Sequence, residues 1–226
     1  MDIMNESRNW TSKEILKFAE WLWENDQRSY SILAMHGVCW GIKIGALLDM
    51  KWSDIIENGI PKNEIIIEKE TIKVSPFCQQ LNFTLFMELS PNINDYIHVN
   101  KTGKLIDTSN LSKNLQRLSD KYSIENEINT DNLKPLIGSS FQIAWIIDML
   151  EYNHFSKTAF SDLAKHLKKK TVKDLEEYIG LKPMETLIKH DLLDTKGAEI
   201  IMQQLVVING KKTKKDFSIT FKNNKS

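Results

Sequence analysis

The residues with the clearest chemical potential form a basic cluster in the last third of the chain. Residues 165–170 read Lys-His-Leu-Lys-Lys-Lys, and a second lysine-rich run follows at 211–215. Residues 137–226 carry 15 basic and 11 acidic side chains, although the whole chain has 30 of each. A basic stripe on one face would bind the phosphate backbone of a nucleic acid. The same lysines are equally compatible with a solvated helix face and a hairpin turn.

Other kinds of chemistry find little support in the sequence. The five histidines, at positions 36, 98, 154, 166 and 190, lack the spacing of metal ligands. The chain contains neither a glycine-rich phosphate loop nor a Gly-x-Ser-x-Gly motif. We therefore expect no metal and no cofactor. His36 lies in an apolar stretch, which is typical of a hydrogen-bonded core histidine.

Length and composition predict one domain, or one domain with a small appendage. The chain has 226 residues, of which 41% are apolar and 27% are charged. No apolar run approaches the roughly 18 residues of a membrane span, and the N-terminus lacks a signal-peptide pattern. The contexts of Cys39 and Cys78 are typical of a core, which predicts a reducing, cytoplasmic setting. A net charge of zero argues against strong DNA binding.

Hydrophobic periodicity predicts a mainly helical protein. Thr11 or Ser12 caps the first helix, and most of the six tryptophans occur at helical spacing beside other apolar residues, as expected for core packing. The further predicted helices cover residues 32–39, 43–50, 108–122, 141–150, 160–167 and 172–179. Residues 141–150 are apolar nearly all round and predict a buried helix.

A small antiparallel sheet is predicted from three short stretches rich in β-branched or aromatic residues, at 64–68, 71–74 and 82–89. A helix is expected to begin at Ser90-Pro91 and to continue through Ile97. Residues 184–205 predict one or two more helices. A terminal β-hairpin is expected from 205–208 and 217–221, with Asn209-Gly210 between them.

One motif identifies a possible relationship. Residues 41–55 read Gly-Ile-Lys-Ile-Gly-Ala-Leu-Leu-Asp-Met-Lys-Trp-Ser-Asp-Ile. This stretch resembles the first signature of the tyrosine recombinases (the phage integrase family), roughly Gly-Leu-Arg-Ile-Ser-Glu-Leu-Leu-x-Leu-x-Trp-x-Asp-Ile. The hydrophobic frame is kept, but the first catalytic arginine of the family is replaced by Lys43. Arginine grips two phosphate oxygens with a planar fork, whereas lysine is a single point charge.

The second signature of the family, His-x-x-Arg at the start of a buried helix, falls on residues 139–142. Ser139 replaces the histidine and Gln142 replaces the arginine, so neither residue supplies a positive charge. Gln142 could still bind a phosphate through hydrogen bonds, or it could serve only to cap the helix.

The remaining family positions are matched more loosely. The catalytic lysine of the family lies on a hairpin, where Lys73 is the first candidate and Lys69 the second; a strand lysine is also typical of an exposed edge. The Leu-Gly-His motif meets Leu-Ala-Lys-His at 163–166, so either His166 or a lysine takes the place of the histidine. Tyr178 is then the candidate nucleophile, although it could equally be a packing residue.

The resemblance implies a mainly α fold with a small antiparallel β-sheet (α+β), like a tyrosine-recombinase catalytic domain, over residues 8–180, with no separate N-terminal core-binding domain. Because the charged catalytic positions are replaced, it implies a degenerate double-stranded DNA-binding protein, an accessory factor of a mobile element. Its DNA contacts would come from Lys43, Lys73, Gln142, His166, Lys168, Lys169 and Lys170.

Two alternatives remain open at this point. The fold could serve as a protein–protein interaction module, in which residues 181–226 dock on a second copy of the chain or on an active recombinase. The chain could instead be a divergent recombinase that uses Tyr178 to form a phosphotyrosine intermediate with DNA.

Overall fold

The computed structural model describes residues 7–180, except for the side chain of Glu70. Within this range the chain is mainly helical and contains two short antiparallel strand pairs. In chain order the elements are α1 (Ser12–Glu24), α2 (Arg28–Trp40), α3 (Ile44–Leu48), α4 (Trp52–Ile55), β1 (Ile56–Glu57), β2 (Ile60–Pro61), β3 (Glu64–Ile67), β4 (Glu70–Lys73), α5 (Pro76–Leu89), α6 (Thr108–Glu125), α7 (Gly138–Tyr152), α8 (Lys157–His166) and α9 (Val172–Ile179). The helix, hairpin and docking segment predicted within 181–226 lie outside the described residues.

Local signals explain the start of α1. Thr11 Oγ1 accepts a hydrogen bond from the Glu14 amide at 3.2 Å, and Glu14 Oε2 accepts one from the Thr11 amide at 2.9 Å. This reciprocal arrangement satisfies two amides that the helix itself leaves unpaired. Ile15, Phe18 and Leu22 recur at helical spacing and are fully buried against the core. The predicted first helix is therefore confirmed.

Helix α7 is the central element of the packing, because it contributes to both hydrophobic clusters of the described chain. Phe141 and Ala144 belong to the larger cluster, which α1, α2 and α6 also build. Ile146 and Leu150 belong to a smaller cluster with residues of α8 and α9. The predicted all-round burial of this helix is confirmed.

The predicted helices at 32–39, 43–50, 108–122, 160–167 and 172–179 are confirmed, with shifts of a few residues at their ends. The tryptophans pack as expected, since Trp10, Trp21, Trp40, Trp52 and Trp145 are buried and Trp23 is partly buried. No helix within residues 7–180 has both the length and the apolarity needed to cross a membrane.

The prediction of a third strand at 82–89 is wrong, because these residues form the second half of α5. Ser75 Oγ accepts a hydrogen bond from the Cys78 amide at 3.2 Å, and Pro76 occupies the first turn of the helix. Leu81 and Leu85 lie on its buried face. A short apolar run fits a strand and a buried helix equally well. Here the N-cap at Ser75 starts a helix that continues through the run. The sheet therefore consists of two separate pairs, β1–β2 and β3–β4.

The prediction of a helix from Ser90 to Ile97 is also wrong. Ser90 ends α5 in the left-handed conformation, with a φ of 46°. The following residues form turns that pair with the region around α4: the Trp52 amide donates to the Asp95 carbonyl at 3.0 Å, and the Ile97 amide donates to the Met50 carbonyl at 2.9 Å. These long-range bonds satisfy backbone groups that a helix would have paired internally.

Candidate functional site

A small cleft forms where three turns and one helix meet. Its walls are the turn after α2, the β3–β4 hairpin, the first turns of α7 and the turn after α8. The cleft is lined by Gly41, Ile42, Lys43, Ile67, Glu68, Ile72, Gln142, His166, Leu167 and Lys168. Four of the predicted site residues therefore come together, although 125 positions separate Lys43 from Lys168.

The basic side chains of this cleft are exposed. Lys43, His166 and Lys168 each lie at the surface and reach the cleft from two separate turns. His166 packs near Trp145 of α7, with 6.0 Å between the ring centroids. Lysine ammonium groups and an imidazole N–H are hydrogen-bond donors suited to binding an anionic oxygen. The lining therefore offers donors of the kind that anionic oxygens accept.

Gln142 forms the floor of the cleft and is only 5% exposed. Its Nε2 donates a hydrogen bond to the Gly41 carbonyl at 2.8 Å. Its Oε1 accepts a hydrogen bond from the Tyr178 hydroxyl at 2.7 Å. Both ends of the amide are therefore engaged within the protein. Gln142 connects the turn after α2, helix α7 and helix α9.

Tyr178 is half-buried on α9, and its hydroxyl points into the protein toward Gln142. Lys169 Nζ lies 3.6 Å from the centroid of the tyrosine ring, close enough for a cation–π interaction. Burial raises the pKa of the Tyr178 hydroxyl above its ordinary value. A neutral amide does not act as a base toward that hydroxyl. This environment favours the protonated phenol.

A glycine determines how closely the turn after α2 approaches α7. Gly41 adopts a φ of 62°, which is the left-handed conformation that ends many helices. A Cβ atom at this position would overlap the Trp145 ring. Only glycine allows both the left-handed backbone and the close approach of the Trp145 ring. The turn can then place Lys43 at the mouth of the cleft.

Lys73 lies away from the cleft lining. In β4 it pairs with Glu64, at the end of the hairpin opposite the turn, about 10 Å from the Ile67–Glu70 pair. Its neighbour Ile72 lines the cleft, and successive strand residues point to opposite faces. Lys73 therefore shares a face with Ile66, which is 73% exposed. Lys170 is exposed just beyond the cleft, and Lys169 lies against Tyr178.

The sequence reasoning missed Glu68, which also lines the cleft. It lies in the two-residue turn between β3 and β4, beside Lys69. The run Glu-Lys-Glu between two β-branched stretches was a usable signal for a tight hairpin turn. No signal in the sequence indicated that this turn would pack against the residues after α2 and α8.

A second group of polar residues is buried elsewhere. His36 Nε2 lies 3.1 Å from Asn82 Oδ1, and His36 Nδ1 lies 3.4 Å from His98 Nε2. Burial lowers the pKa of His36 to about 3, so this ring is neutral. The prediction of a hydrogen-bonded core histidine is confirmed. Within residues 7–180, no group of three or more His, Cys, Asp or Glu side chains is arranged to hold a metal ion.

Comparison with solved structures supports a recombinase-like fold. The crystal structure of XerA recombinase is similar to this chain with a TM-score of 0.55 and 17% sequence identity. The match covers 90% of this chain and 65% of the XerA chain. No protein-family model and no curated protein matches the sequence. At this identity the likeness shows the fold alone, and it agrees with the mainly helical α+β architecture expected from the sequence.

Proposed function

We propose that the protein binds double-stranded DNA through the cleft and does not cleave it. The observation that carries this proposal is the convergence of Lys43, His166 and Lys168 in one cleft of a recombinase-like fold. Cations brought together from distant parts of the chain bind phosphate better than scattered surface lysines do. Lys169 and Lys170 extend the basic surface beyond the cleft. The protein would act as an accessory or regulatory factor of DNA recombination.

The chemistry of the cleft argues against strand cleavage. Phosphoryl transfer depends on positioning and on stabilisation of charge that develops on the phosphate oxygens. Gln142 offers no charge, and both ends of its amide are already hydrogen-bonded. Lys43 binds as a point charge rather than as a fork. Tyr178 holds its proton toward a neutral amide, so no described group takes that proton.

A salt-titrated binding assay on generic duplex DNA tests the proposal. We expect the double substitution Lys43→Ala/Lys168→Ala to weaken binding by roughly tenfold and to reduce the salt slope by about 2. Lys104→Ala removes an exposed lysine that does not line the cleft and serves as the control. The proposal is abandoned if the wild type fails to bind duplex DNA at low salt, or if the control weakens binding equally.

The divergent-recombinase alternative makes a different prediction. It requires a covalent protein–DNA product that disappears in Tyr178→Phe. Incubation with nicked and intact duplexes, followed by denaturing electrophoresis, detects such a product. A labelled, protease-sensitive band that depends on Tyr178 would establish cleavage and replace our proposal.

One observation favours the protein–protein alternative. The outer face of α5 carries no charged side chain before Glu88, and it exposes 44% of Phe83 and 60% of Met87. Exposed apolar residues one helical turn apart are typical of a contact surface. Sedimentation of the wild type and of Phe83→Ser/Met87→Ser over a range of concentrations tests it. Association that the double substitution removes would support an interaction module, whereas a monomeric wild type argues against self-association.

A further inference from the structure

Helices α2 and α5 meet at a buried polar contact that fixes which of their faces oppose each other. His36 Nε2 of α2 lies 3.1 Å from Asn82 Oδ1 of α5, and both side chains are fully buried. Residues three or four positions apart lie on the same face of a helix. Cys39 therefore lies one turn after His36 on the same face of α2, and Cys78 lies one turn before Asn82 on the same face of α5.

The two cysteines are in contact with each other. Their thiols are hydrogen-bonded, so the two helices run in opposite directions where they meet. Both cysteines are free thiols, and the sequence contains no others. Cys78 is only 3% exposed, whereas Cys39 is partly exposed and gives a small molecule access to the pair.

The contact between the thiols changes their acidity in opposite directions. The hydrogen bond with Cys39 lowers the pKa of the Cys78 thiol, although burial opposes this effect. The same hydrogen bond, together with burial, raises the pKa of the Cys39 thiol well above its ordinary value. The thiolate is the form of cysteine that reacts with oxidants, so Cys78 is the sulfur of the pair that is suited to react first.

We propose that Cys39 and Cys78 are an oxidation site, at which a peroxide converts the two thiols into a reversible disulfide. The bond would join the last turn of α2 to the first turn of α5. Cys39 lies two residues before Gly41, and α5 begins shortly after the β3–β4 hairpin ends. The disulfide would therefore connect the two segments that lead into the turn after α2 and the hairpin, which are two walls of the cleft. The inference does not depend on DNA binding.

The reaction consumes one peroxide for each pair of thiols. The Cys78 thiolate attacks one oxygen of hydrogen peroxide, the O–O bond breaks, and the released hydroxide takes up the thiol proton to form water. The Cys39 sulfur then attacks the resulting sulfenic acid. An S–S bond forms, the S–O bond breaks, and the departing hydroxide leaves as a second water with the Cys39 proton. The two sulfurs together lose the two electrons that the peroxide gains.

Limited oxidation of the full-length chain tests the proposal. The reduced protein is treated with one equivalent of hydrogen peroxide, its remaining thiols are blocked with iodoacetamide, and its peptides are analysed by mass spectrometry. We expect a peptide that links Cys39 to Cys78 within a single chain, loss of both alkylatable thiols, and their recovery with dithiothreitol. Because the disulfide closes a loop of about 40 residues, the oxidised protein should unfold at a temperature roughly 10 °C higher.

Cys39→Ser is the control, because it keeps a small polar side chain at a partly exposed position. In this variant peroxide should give no linked peptide and no rise in the unfolding temperature, and dimedone should trap Cys78 as a sulfenic acid. Three results would overturn the inference: thiols of the wild type that stay alkylatable, a disulfide that links two chains, or an oxidised protein that unfolds no higher than the reduced one.

Discussion

Asp148 is a buried carboxyl group on α7, and its ionisation links folding to pH. The side chain is only 2% exposed, and its Oδ2 atom has no hydrogen-bond partner among the described residues. Burial raises the pKa of this carboxyl to about 7, with a further contribution from the charge of Glu151. The folded state therefore retains a proton that the unfolded state loses near pH 4. Stability should decrease as the pH rises from about 4 to 7, and then remain level.

Replacing Asp148 with a residue that does not ionise removes this dependence of stability on pH. We expect Asp148→Asn to raise the free energy of unfolding by about 2 kcal/mol at pH 8 and to have little effect near pH 4. Urea unfolding at both pH values measures the difference. Asp162→Asn, at an exposed position of α8, is the control and should change stability equally little at either pH. A penalty for Asp148→Asn at pH 8 would contradict this account.

Tyr178 is expected to have a structural role. Its hydroxyl donates to Gln142 Oε1, and Gln142 in turn holds the turn that precedes Lys43. We expect Tyr178→Phe to reduce the free energy of unfolding by about 1 kcal/mol, the typical cost of one lost hydrogen bond. DNA affinity should change less than twofold, because Tyr178 does not line the cleft. Thermal unfolding measures the change in stability, and the salt-titrated binding assay measures the change in DNA affinity. Tyr152→Phe on α7 is the comparison in both measurements. A large loss of DNA binding without a loss of stability would assign Tyr178 to the ligand.

At the scale of elements, the junction between α2 and α3 is the critical connection. Gly41 ends α2 in a conformation that other residues adopt at a cost, and the Trp145 ring fills the space of its missing side chain. We expect Gly41→Ala to destabilise the protein by about 3 kcal/mol through backbone strain and steric overlap. Gly45→Ala is the matched control in α3, where a Cβ meets no atom within 4 Å and helix propensity favours alanine. Chemical denaturation of both variants distinguishes them, and equal stabilities would contradict the proposed role of Gly41.

At the scale of the whole molecule, the two hydrophobic clusters differ in size and share α7. The smaller one is built by α8, α9 and the second half of α7. Units with fewer buried contacts open at lower free energy than the rest of a protein. We expect amides of α8 and α9 to exchange with solvent faster than those of α1 and α2 under native conditions. Hydrogen exchange followed by NMR or mass spectrometry measures this. Uniform protection across all four helices would show that the clusters unfold as one.

This difference bears on function, because the two clusters hold different parts of the cleft. His166 and Lys168 lie at the end of α8, whereas Lys43 lies beside the larger cluster. Opening of the smaller cluster would separate the cations that the folded state brings together. DNA binding and local stability should therefore be coupled, and a bound duplex should slow exchange in α8 and α9.

The sequence by itself determined the elements whose signals are local. Helices α1, α2, α7 and α9 follow from caps, helical spacing and all-round apolarity, because these depend on neighbours within about four residues. The hydrophobic frame of residues 41–55 was enough to indicate the recombinase-like fold. The same signals could not predict the secondary structure of residues 82–89, since a short apolar run is compatible with either a strand or a helix.

The tertiary structure alone decided the composition of the cleft. It joined Gln142 to Tyr178 across 36 positions of sequence, turned Lys73 to the opposite face of its hairpin, and brought Glu68 into the lining of the cleft. None of these contacts is local, because each depends on how α7, α9 and the hairpin pack against one another. Packing is set by the shapes of buried faces together, and no single stretch of sequence records that fit.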